Sequence, residues 1–471
     1  LKASHSFVDV QYLFYRVDAT MPSAIVPFQL HEDRLVEVAT SPQIQLRCRL
    51  WGNRASGVPV LFVHGGPGGN VECYNGVNKD FFDCSTFYVV EVDQRGCGKS
   101  QPSVLDPEDG IANMQIYRDI SLPQMSADFE VVRKELGIDK WLVFGGSWGS
   151  TLALDYAIRF PDRCLGLIIR GIFLGTPQEH EEVYARKAFD GFDTDVKRFQ
   201  LKQFDAFYKY ARKEVERRQE TPLDPNDAER TCRVYEDLIQ KGDRMAAWMC
   251  YAFEENLMTE ESELLDYDTI DEKAYYAEAQ SVAFFEMRLF LRLAFEEPPD
   301  FMSRLGALAG VKTWIVQGTG DAVCPDHVAR SLVTGLEKAN IPHKSYFVDA
   351  NHKASSKNIK NALMQSLNEF VEECAGVVFM KVTANKKSSG FYAKCAKSFF
   401  VDAEDKEGKQ KKPVSQLKIS GLGGSISSAV TAALSVQSEG LATITRIDTS
   451  YAEVDGNQRQ CARISISLHR K

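Results

Sequence analysis

The sequence predicts an α/β fold with a parallel sheet, a helical insertion and a small α+β domain at the C-terminal end. Short apolar runs alternate with amphipathic stretches of helical length; the runs are 58–63, 87–92, 141–144 and 165–169, and the stretches are 125–136 and 152–160. Uninterrupted apolar strands separated by helices are typical of a parallel sheet that is covered on both faces.

The same alternation resumes after residue 300, with strands predicted at 313–316 and 344–348 and helices at 326–336 and 357–373. Between the two parts, residues 179–300 are charged, aromatic and helical in period, without a strand pattern. We interpret this segment as a helical cap over the carboxyl edge of the sheet. The predicted domains are therefore 1–178 and 301–375 for the core, and 179–300 for the cap.

Residues 376–471 predict a separate βαβαββ domain. The predicted strands are 377–383, 416–420, 442–454 and 462–469, and the predicted helices are 390–400 and 426–437. The last two strands alternate in polarity and flank Asp455-Gly456, a dipeptide suited to a hairpin turn. About 96 residues in this order are enough for a small core of their own.

Charge distribution supports this division. The whole chain of 471 residues has a net charge of −9, but residues 376–471 have 15 basic and 8 acidic side chains, a net of +7. Residues 1–375 therefore have 41 basic and 57 acidic side chains, a net of −16. Because net charge governs non-specific association, opposite signs suggest two parts with different partners.

Composition also restricts the class of protein. No run approaches the ~18 apolar residues of a membrane-spanning helix, and the N-terminal residues lack a secretory pattern, although the chain begins at Leu1. The 11 cysteines are spread thinly and form no CxxC pair. We expect reduced thiols in a cytoplasmic protein, without a zinc site, a disulfide framework or a membrane partner.

The strongest local motif is Gly-Gly-Ser-Trp-Gly at 145–149, which fits G-x-S-x-G. It directly follows the strand at 141–144 and precedes a helix, as a nucleophile elbow requires. Glycines permit the sharp turn that exposes the serine oxygen. The motif therefore predicts Ser147 as the nucleophile of an acyl-transfer reaction.

Upstream, residues 64–69 read His-Gly-Gly-Pro-Gly-Gly after a predicted strand. A loop this rich in glycine can bring backbone N–H groups close to a substrate carbonyl, so Gly66 and Trp148 are predicted to form an oxyanion hole. No Lys-Ser/Thr follows, which excludes a phosphate-binding loop. We interpret His64 as a residue that orients the loop rather than as a base.

The base and the acid are found by elimination, since they follow the nucleophile along the chain in this fold class. His180 opens the insertion and His469 lies in the C-terminal domain, which leaves His327, His343 and His352. Of these three, His352 lies just beyond the carboxyl end of a predicted strand, so it is the predicted general base.

The acid should follow the preceding strand, and Asp321 does so. Its competitors are Asp326, which is placed to cap the next helix, and Asp349, which lies very near a strand end. The predicted triad is therefore Ser147, His352 and Asp321.

Four motifs in order resemble the proline iminopeptidase (prolyl aminopeptidase) family of serine α/β hydrolases. They are the loop at 64–69, Asp-Gln-Arg-Gly-Cys-Gly-Lys-Ser at 93–100, the segment at 145–154, and Leu-Ile-Ile-Arg-Gly-Ile-Phe at 167–173. The resemblance covers about residues 25–375. It implies an α/β-hydrolase fold with a cap, the same triad, and a peptide substrate with a free N-terminal proline.

The family also binds the substrate's N-terminal amine through glutamates on the cap. The resemblance implies Glu286 for one of them and Glu254 for the other, with Glu255 as a rival to Glu254. A protonated amine that leaves water needs a carboxylate partner, and such partners reject blocked N-termini. No metal or redox cofactor is implied.

The C-terminal segment, about residues 376–471, resembles the Alba family, whose members bind RNA or DNA and commonly form dimers. The matching segments are 380–387, 417–430, 440–449 and 462–468. The resemblance implies phosphate contacts by Lys386, Lys387, Arg459 and Arg463, and a homodimer through this domain. Residues 421–424 form a loop that could approach a nucleic acid or be a plain tight turn.

Two other functions remain open at this point. The same hydrolase machinery could cleave another ester, a lactone or another amide, although Ser147 excludes the branches of this fold that use an aspartate nucleophile. Alternatively, the chain is an RNA-binding protein that uses the hydrolase domain as a scaffold. The intact set of Ser147, Asp321 and His352 argues against the scaffold function.

Overall fold

The structure is a computed structural model. It describes residues 30–471 except 53, 55–56, 75–80, 84–85, 107, 191–194, 259–263, 268–275, 375–376, 384–386, 405–409, 412, 415 and 455–458. The described chain divides near residue 380 into two compact units. No helix in this part of the chain has the length and hydrophobicity needed to cross a membrane.

The larger unit contains a mixed sheet of eight strands. They are β1 (Leu30–Thr40), β2 (Gln43–Gly52), β3 (Val58–Val63), β4 (Phe87–Val92), β5 (Trp141–Ser147), β6 (Cys164–Ile172), β7 (Thr313–Gly318) and β8 (His343–Val348). Their spatial order is β1-β2-β4-β3-β5-β6-β7-β8, and all pairs from β4 to β8 are parallel. The predicted parallel sheet is therefore confirmed.

Helices connect these strands and form the insertion. In chain order they are α1 (Gly110–Met114), α2 (Leu122–Glu135), α3 (Trp148–Arg159), α4 (Pro177–Tyr184), α5 (Asp195–Arg217), α6 (Ala228–Gln240), α7 (Arg244–Met258), α8 (Tyr276–Leu291), α9 (Phe301–Arg304), α10 (Asp326–Lys338) and α11 (Lys357–Glu373). Helices α4 to α8 lie between β6 and β7 in the chain, without a strand among their described residues. The helical character predicted for this insertion is confirmed.

Strands β1 and β2 were not predicted from the pattern of apolar runs. They form an antiparallel edge of the sheet, and β2 has two buried arginines, Arg47 and Arg49. Arg47 is held by Asp33 at 2.6 Å, and Arg49 lies 3.7 Å from the buried Glu91. Because these partners are distant in sequence, the burial of charged residues in β2 has no local signal.

The smaller unit has the predicted βαβαββ order with a short hairpin added. Its elements are β9 (Val377–Val382), α12 (Ser389–Ser398), β10 (Ala403–Glu404), β11 (Gln410–Lys411), β12 (Gln416–Leu422), α13 (Ile426–Ser438), β13 (Ala442–Val454) and β14 (Arg459–Arg470). A four-stranded sheet runs in the order β13-β14-β12-β9. The predicted turn at Asp455-Gly456 lies outside the described residues.

The loop at 421–424 shows a packing reason for its glycines. A Cβ atom at Gly421 would lie 2.7 Å from the Ser425 carbonyl oxygen, and Gly423 has a φ of +54°. The Ser425 hydroxyl also accepts the Leu422 N–H at 2.8 Å. These contacts account for the glycines as a tight turn between β12 and α13.

Candidate active site

Ser147 ends β5 and immediately precedes α3, in a sharp turn. Its φ of +57° and ψ of −131° are strained for a residue with a Cβ atom. The backbone groups around it leave little room, since a Cβ atom at Gly145 would lie 2.2 Å from the Gly149 carbonyl oxygen. A Cβ atom at Gly149 would lie 2.3 Å from the Val63 carbonyl oxygen. The glycines of the motif are therefore required by the close packing of β3, β5 and α3.

Asp321 and His352 are brought together from loops that follow β7 and β8. The Asp321 Oδ2 atom lies 2.7 Å from His352 Nδ1, and both side chains are buried. The other carboxylate oxygen accepts the N–H groups of Val323 (3.0 Å) and Cys324 (2.8 Å). Burial opposes ionisation of Asp321, but the His352 charge and these hydrogen bonds outweigh it and lower the pKa of the carboxyl. Asp321 is thus held as an anion that orients the imidazole.

The elbow and the histidine meet at Gly171. Ser147 is paired in register with Ile172 in β6. A Cβ atom on the neighbouring Gly171, whose φ is +52°, would lie 3.1 Å from His352 Cε1. Arg170 donates a hydrogen bond of 2.9 Å to the His352 carbonyl oxygen and lies against Gly146 of the elbow. The end of β6 therefore contacts both His352 and the elbow that contains Ser147.

The loop at 64–69 is held by a buried histidine. His64 Nε2 accepts the Gln94 N–H at 3.0 Å, so the ring proton lies on Nδ1, which donates to the Gly65 carbonyl oxygen at 2.8 Å. Burial lowers the pKa of His64, which keeps it neutral. The Gln94 side chain in turn accepts the Trp148 indole N–H at 2.8 Å. These bonds give His64 the orienting geometry expected from the sequence.

The two predicted oxyanion donors line one narrow cavity with Ser147. Gly66, with a φ of +112°, and Trp148 both border this space of about 30 Å³. Trp148 is the first residue of α3, so its N–H has no acceptor within the helix. Both residues therefore border the cavity that contains Ser147, and their N–H groups remain the predicted oxyanion donors.

Cys324 also borders the cavity that contains Ser147. Complete burial raises the pKa of its thiol well above the ordinary value. Because the thiolate is the nucleophilic form of cysteine, Cys324 stays an unreactive thiol at neutral pH. Ser147 therefore remains the candidate nucleophile of this cavity.

A pair of buried cap glutamates lies at this cavity, and one of them lines it. Glu254 on α7 lines the cavity, receives a hydrogen bond from the Tyr184 hydroxyl, and shares another with Glu286 on α8. Burial raises the pKa of Glu254, and burial with the Glu254 charge raises that of Glu286 well above its ordinary value. The second oxygen of Glu286 is buried, and no described residue forms a hydrogen bond with it.

Glu255, the sequence-level rival of Glu254, is only half-buried and is not among the residues that line the cavity. Burial raises its pKa, while Lys353 opposes that shift. The structure therefore places Glu254, rather than Glu255, beside Glu286.

Helix α8 is attached to the oxyanion loop. The Ser281 hydroxyl donates a buried hydrogen bond of 2.7 Å to the Gly68 carbonyl oxygen. A Cβ atom at Gly68 would lie 2.3 Å from the Ser281 carbonyl oxygen, so the loop and the helix are in direct backbone contact. This contact fixes Glu286, five residues further along α8, relative to the oxyanion donors.

Comparison with known proteins adds to this geometry. A family model described as "alpha/beta hydrolase fold" matches residues 58–355. The proline iminopeptidase of Neisseria meningitidis serogroup B is 32% identical over 320 residues, which are 67% of this chain and 89% of that protein. The chain belongs to the proline iminopeptidase family.

Two further relatives agree with this assignment. The probable proline iminopeptidase of Leptolyngbya boryana is 31% identical over 68% of this chain and 88% of its own length. The proline iminopeptidase of Xylella fastidiosa is 31% identical over 67% of this chain and 90% of its own length. The chain is thus a hydrolase of the proline iminopeptidase type, with the α/β-hydrolase fold predicted from the sequence.

The residues predicted to contact nucleic acid are only partly described. Lys387 is exposed just before α12, with its Nζ atom 5.4 Å from the centre of the Phe391 ring, and Arg463 is half-buried on β14. Lys386 lies outside the described residues, as does the side chain of Arg459. Their role in binding stays a prediction.

Several residues that line the cavity were not predicted from the sequence, and His180 and Tyr184 are two of them. His180 was set aside because it opens the insertion, and Tyr184 was not considered, yet both line the cavity from α4. The helix reads Pro-Gln-Glu-His-Glu-Glu-Val-Tyr, which is typical of a solvated surface. The spacing of four residues between His180 and Tyr184 places them on one face and was the one available signal.

Replacing Gly171 tests how His352 is positioned in this family member. In Gly171→Ala, we expect kcat/KM to fall by about 10- to 100-fold, since a shift below 1 Å in the base is costly. The backbone strain should also lower stability by about 1 kcal/mol. Gly310→Ala is the control, because Gly310 has a φ of +92° and no atom within 4 Å of the added Cβ. Equal activity in both variants would contradict the positioning role of Gly171.

Proposed function

We propose that this protein is a serine aminopeptidase that releases an N-terminal proline from peptides. The observation that carries the proposal is the buried Glu254, which lines the cavity that contains Ser147 and lies beside the buried Glu286. Burial raises the pKa of both carboxyl groups, and neither forms an ion pair with Lys or Arg among the described residues, so a cation that enters the cavity would stabilise their ionised form. The protonated amine of a substrate would supply that cation.

The chemistry follows from the arrangement of the triad. The Ser147 hydroxyl attacks the carbonyl carbon of the N-terminal residue while His352 accepts its proton, and the Asp321 anion stabilises the resulting imidazolium. The N–H groups of Gly66 and Trp148 stabilise the oxyanion. His352 then gives the proton to the leaving amine of the second residue, and water hydrolyses the acyl-enzyme by the reverse sequence of proton transfers.

The position of the carboxyl pair would account for cleavage after the first residue of a peptide, which is the activity of an exopeptidase. The amine and the scissile carbonyl of an N-terminal residue are joined through one carbon atom, so a substrate held by Glu254 presents its first peptide bond to Ser147. The rings of Phe173 and Phe290, whose centroids are 4.8 Å apart, border the same cavity and offer an apolar surface to a proline ring. The names of the relatives support proline as the released residue.

The test is hydrolysis of prolyl-naphthylamide with and without an acetyl group on the proline nitrogen. We expect the free amine to be the better substrate by at least about 100-fold in kcat/KM, the value of one lost buried ionic contact. A panel of other aminoacyl-naphthylamides measures the preference for proline. Equal turnover of the acetylated compound would overturn the aminopeptidase proposal and favour another amide or ester hydrolase.

For the C-terminal unit, we infer a module that binds RNA or DNA and can form a homodimer. The supporting observations are its compactness, the element order shared with the Alba resemblance, and the exposed Lys387 at the start of α12. Its net charge of +7 favours a polyanionic partner. Contacts of this kind would be made to phosphates and would not read the base sequence.

The binding test uses the full chain and a labelled single-stranded RNA at several salt concentrations. The variant Lys387→Gln/Arg463→Gln removes two charges. It should make the fall of log affinity with log salt less steep by about 1.4, at ~0.7 for each phosphate contact. Lys202→Gln/Lys338→Gln is the control, since it removes two exposed charges from the hydrolase unit. No retention of RNA at ~50 mM salt would contradict nucleic-acid binding. Sedimentation velocity of the same protein tests the dimer.

A further inference from the structure

Gln317 is a buried amide near the end of β7 to which the triad chemistry assigns no part. The strand reads Thr-Trp-Ile-Val-Gln-Gly, and the relative exposure of Gln317 is 0%. Because a polar group that leaves water must be hydrogen-bonded, a buried glutamine in a largely apolar strand needs specific partners. Gln317 lies four residues before Asp321, the predicted acid of the triad.

The two ends of this side chain bond to two different segments of the backbone. Its Oε1 atom accepts the N–H of Ile172 at the end of β6, at 2.9 Å. Its Nε2 atom donates to the Cys324 carbonyl oxygen in the loop after β7, at 2.8 Å. The same nitrogen lies 3.2 Å from the Gly318 carbonyl oxygen and 3.4 Å from Asp321 Oδ2. An amide has two N–H donors and one acceptor oxygen, so both of its polar atoms have partners.

The bond to Ile172 lies beyond the point where the two strands cease to pair. The backbone register of β6 with β7 ends at Arg170 and Val316. Gly171 then has a φ of +52°, which turns the end of β6 out of the extended conformation. The Gln317 side chain therefore connects the two strands where their backbone pairing has ended. A methionine at this position would leave the Ile172 N–H without this acceptor.

Both connected segments lie against the Asp321–His352 pair. A Cβ atom on Gly171, the neighbour of the bonded N–H group, would lie 3.1 Å from His352 Cε1 and 3.7 Å from Asp321 Oδ2. On the other side, Cys324 donates its own N–H to Asp321 Oδ1 at 2.8 Å. One amide thus links the strand end that contacts the histidine to the residue that holds the carboxylate.

We propose that Gln317 is a positioning residue for the hydrolytic reaction, which holds the Asp321 carboxylate against His352 by bonding the loop at 319–325 to the end of β6. Gln317 is not among the described residues that line the cavity of Ser147, so it acts through Asp321. This inference rests on the proposed function, because Asp321 has a part only if the triad is the catalytic machinery.

The experiment measures kcat and KM for prolyl-naphthylamide in wild type and Gln317→Met. Methionine fills a similar volume but bonds to neither backbone segment. We expect kcat to fall by about 10- to 100-fold, since a displacement of about 1 Å in a catalytic group is costly, while KM stays within about threefold. An unchanged kcat, or a loss confined to KM, would overturn the inference.

Gln317→Glu is the conservative variant that separates this role from packing. Beside the Asp321 anion, the introduced buried carboxyl is expected to stay protonated at about pH 6, where it keeps one donor and one acceptor. At that pH the variant should retain kcat within about threefold of wild type. A loss as large as that of Gln317→Met would show that the hydrogen bonds are not the cause, and would overturn the inference.

A matched control tests for a general effect of removing a buried amide. Gln203→Met replaces a buried glutamine on α5 whose Oε1 atom accepts a hydrogen bond of 3.2 Å from Asn256. It should lower the melting temperature but leave kcat within about twofold of wild type. A loss of kcat equal to that of Gln317→Met would mark the effect as general and overturn the positioning role.

The rate at which a fluorophosphonate labels Ser147 decides the inference independently of proline. If wild type is labelled but does not hydrolyse prolyl-naphthylamide, the proposed function fails and the positioning role is still tested. Labelling that is about tenfold slower in Gln317→Met then supports the positioning role, and an equal rate overturns it. Folded wild type that is neither labelled nor active overturns both.

Discussion

Ser147→Ala is expected to lower kcat/KM for prolyl-naphthylamide by at least about 10⁴-fold. The reason is that the acyl-enzyme forms on the Ser147 oxygen, while the Cys324 thiol beside it stays protonated because burial raises its pKa. The oxyanion donors and the carboxyl pair remain in the variant, so substrate binding should change far less than turnover. The variant therefore separates the catalytic step from substrate binding.

The backbone conformation of Ser147 should also lower the stability of the folded protein. Ser147 has a φ of +57°, and a non-glycine residue in such a conformation is strained by about 1–3 kcal/mol. Ser147→Gly should therefore melt at a higher temperature than Ser147→Ala while being equally inactive. A glycine variant that is no more stable would indicate that the elbow is not strained.

A fluorophosphonate probe tests the nucleophile directly. Wild type and Cys324→Ala should both form an adduct that maps to Ser147 by mass spectrometry, whereas Ser147→Ala should form none. Residual turnover in Ser147→Ala above about one hundredth of wild type, or an adduct at another residue, would contradict the assignment. Absence of any adduct in folded wild type would favour a scaffold role for the hydrolase unit.

The sequence was most informative where burial is complete. The strands β3 and β4 were predicted with the bounds that the structure shows, because strands covered on both faces are uniformly apolar. The edge strands β1 and β2 were missed, since Arg47 and Arg49 are buried through partners on other elements. Local patterns report the solvent exposure of a residue and do not report ion pairs across a sheet.

The residues of the candidate site also differ in how well the sequence predicts them. Ser147, Asp321 and His352 follow strand ends in a chain order that the fold class dictates, and the structure joins Asp321 to His352. His180 and Tyr184 belong to a helix in which three of the eight residues are glutamates. Their burial comes from residues later in the chain, since Phe295 packs against His180 and Phe207 and Glu254 contact Tyr184. Cap residues that contact a substrate are therefore harder to predict from the sequence than catalytic residues at the carboxyl edge of the sheet.

Glu286→Gln is expected to have the second largest effect, and to change activity and stability in opposite directions. Removing one member of the buried pair should lower kcat/KM for the free-amine substrate by roughly 100-fold, corresponding to about 3 kcal/mol of lost ionic contact. The loss on an ester without an amine, such as p-nitrophenyl acetate, should be much smaller. The control is Glu278→Gln on the same helix, where the carboxylate is half-buried and accepts a hydrogen bond from Cys73.

The stability effect follows from the raised pKa of Glu286, whose ordinary value is 4.5. Above pH 4.5 the unfolded chain loses this proton while the folded protein retains it, so wild type loses stability as pH rises toward the folded pKa. Glutamine does not titrate, so Glu286→Gln should gain stability relative to wild type between pH 5 and pH 8, as measured by urea unfolding at each pH. A constant difference across that range would show that Glu286 is ordinarily ionised in the free enzyme. If the difference in stability is constant and turnover of the free amine is retained, Glu286 is not part of the site. If the difference grows with pH and turnover is lost, the enzyme keeps a destabilising carboxyl pair that binds its cationic substrate.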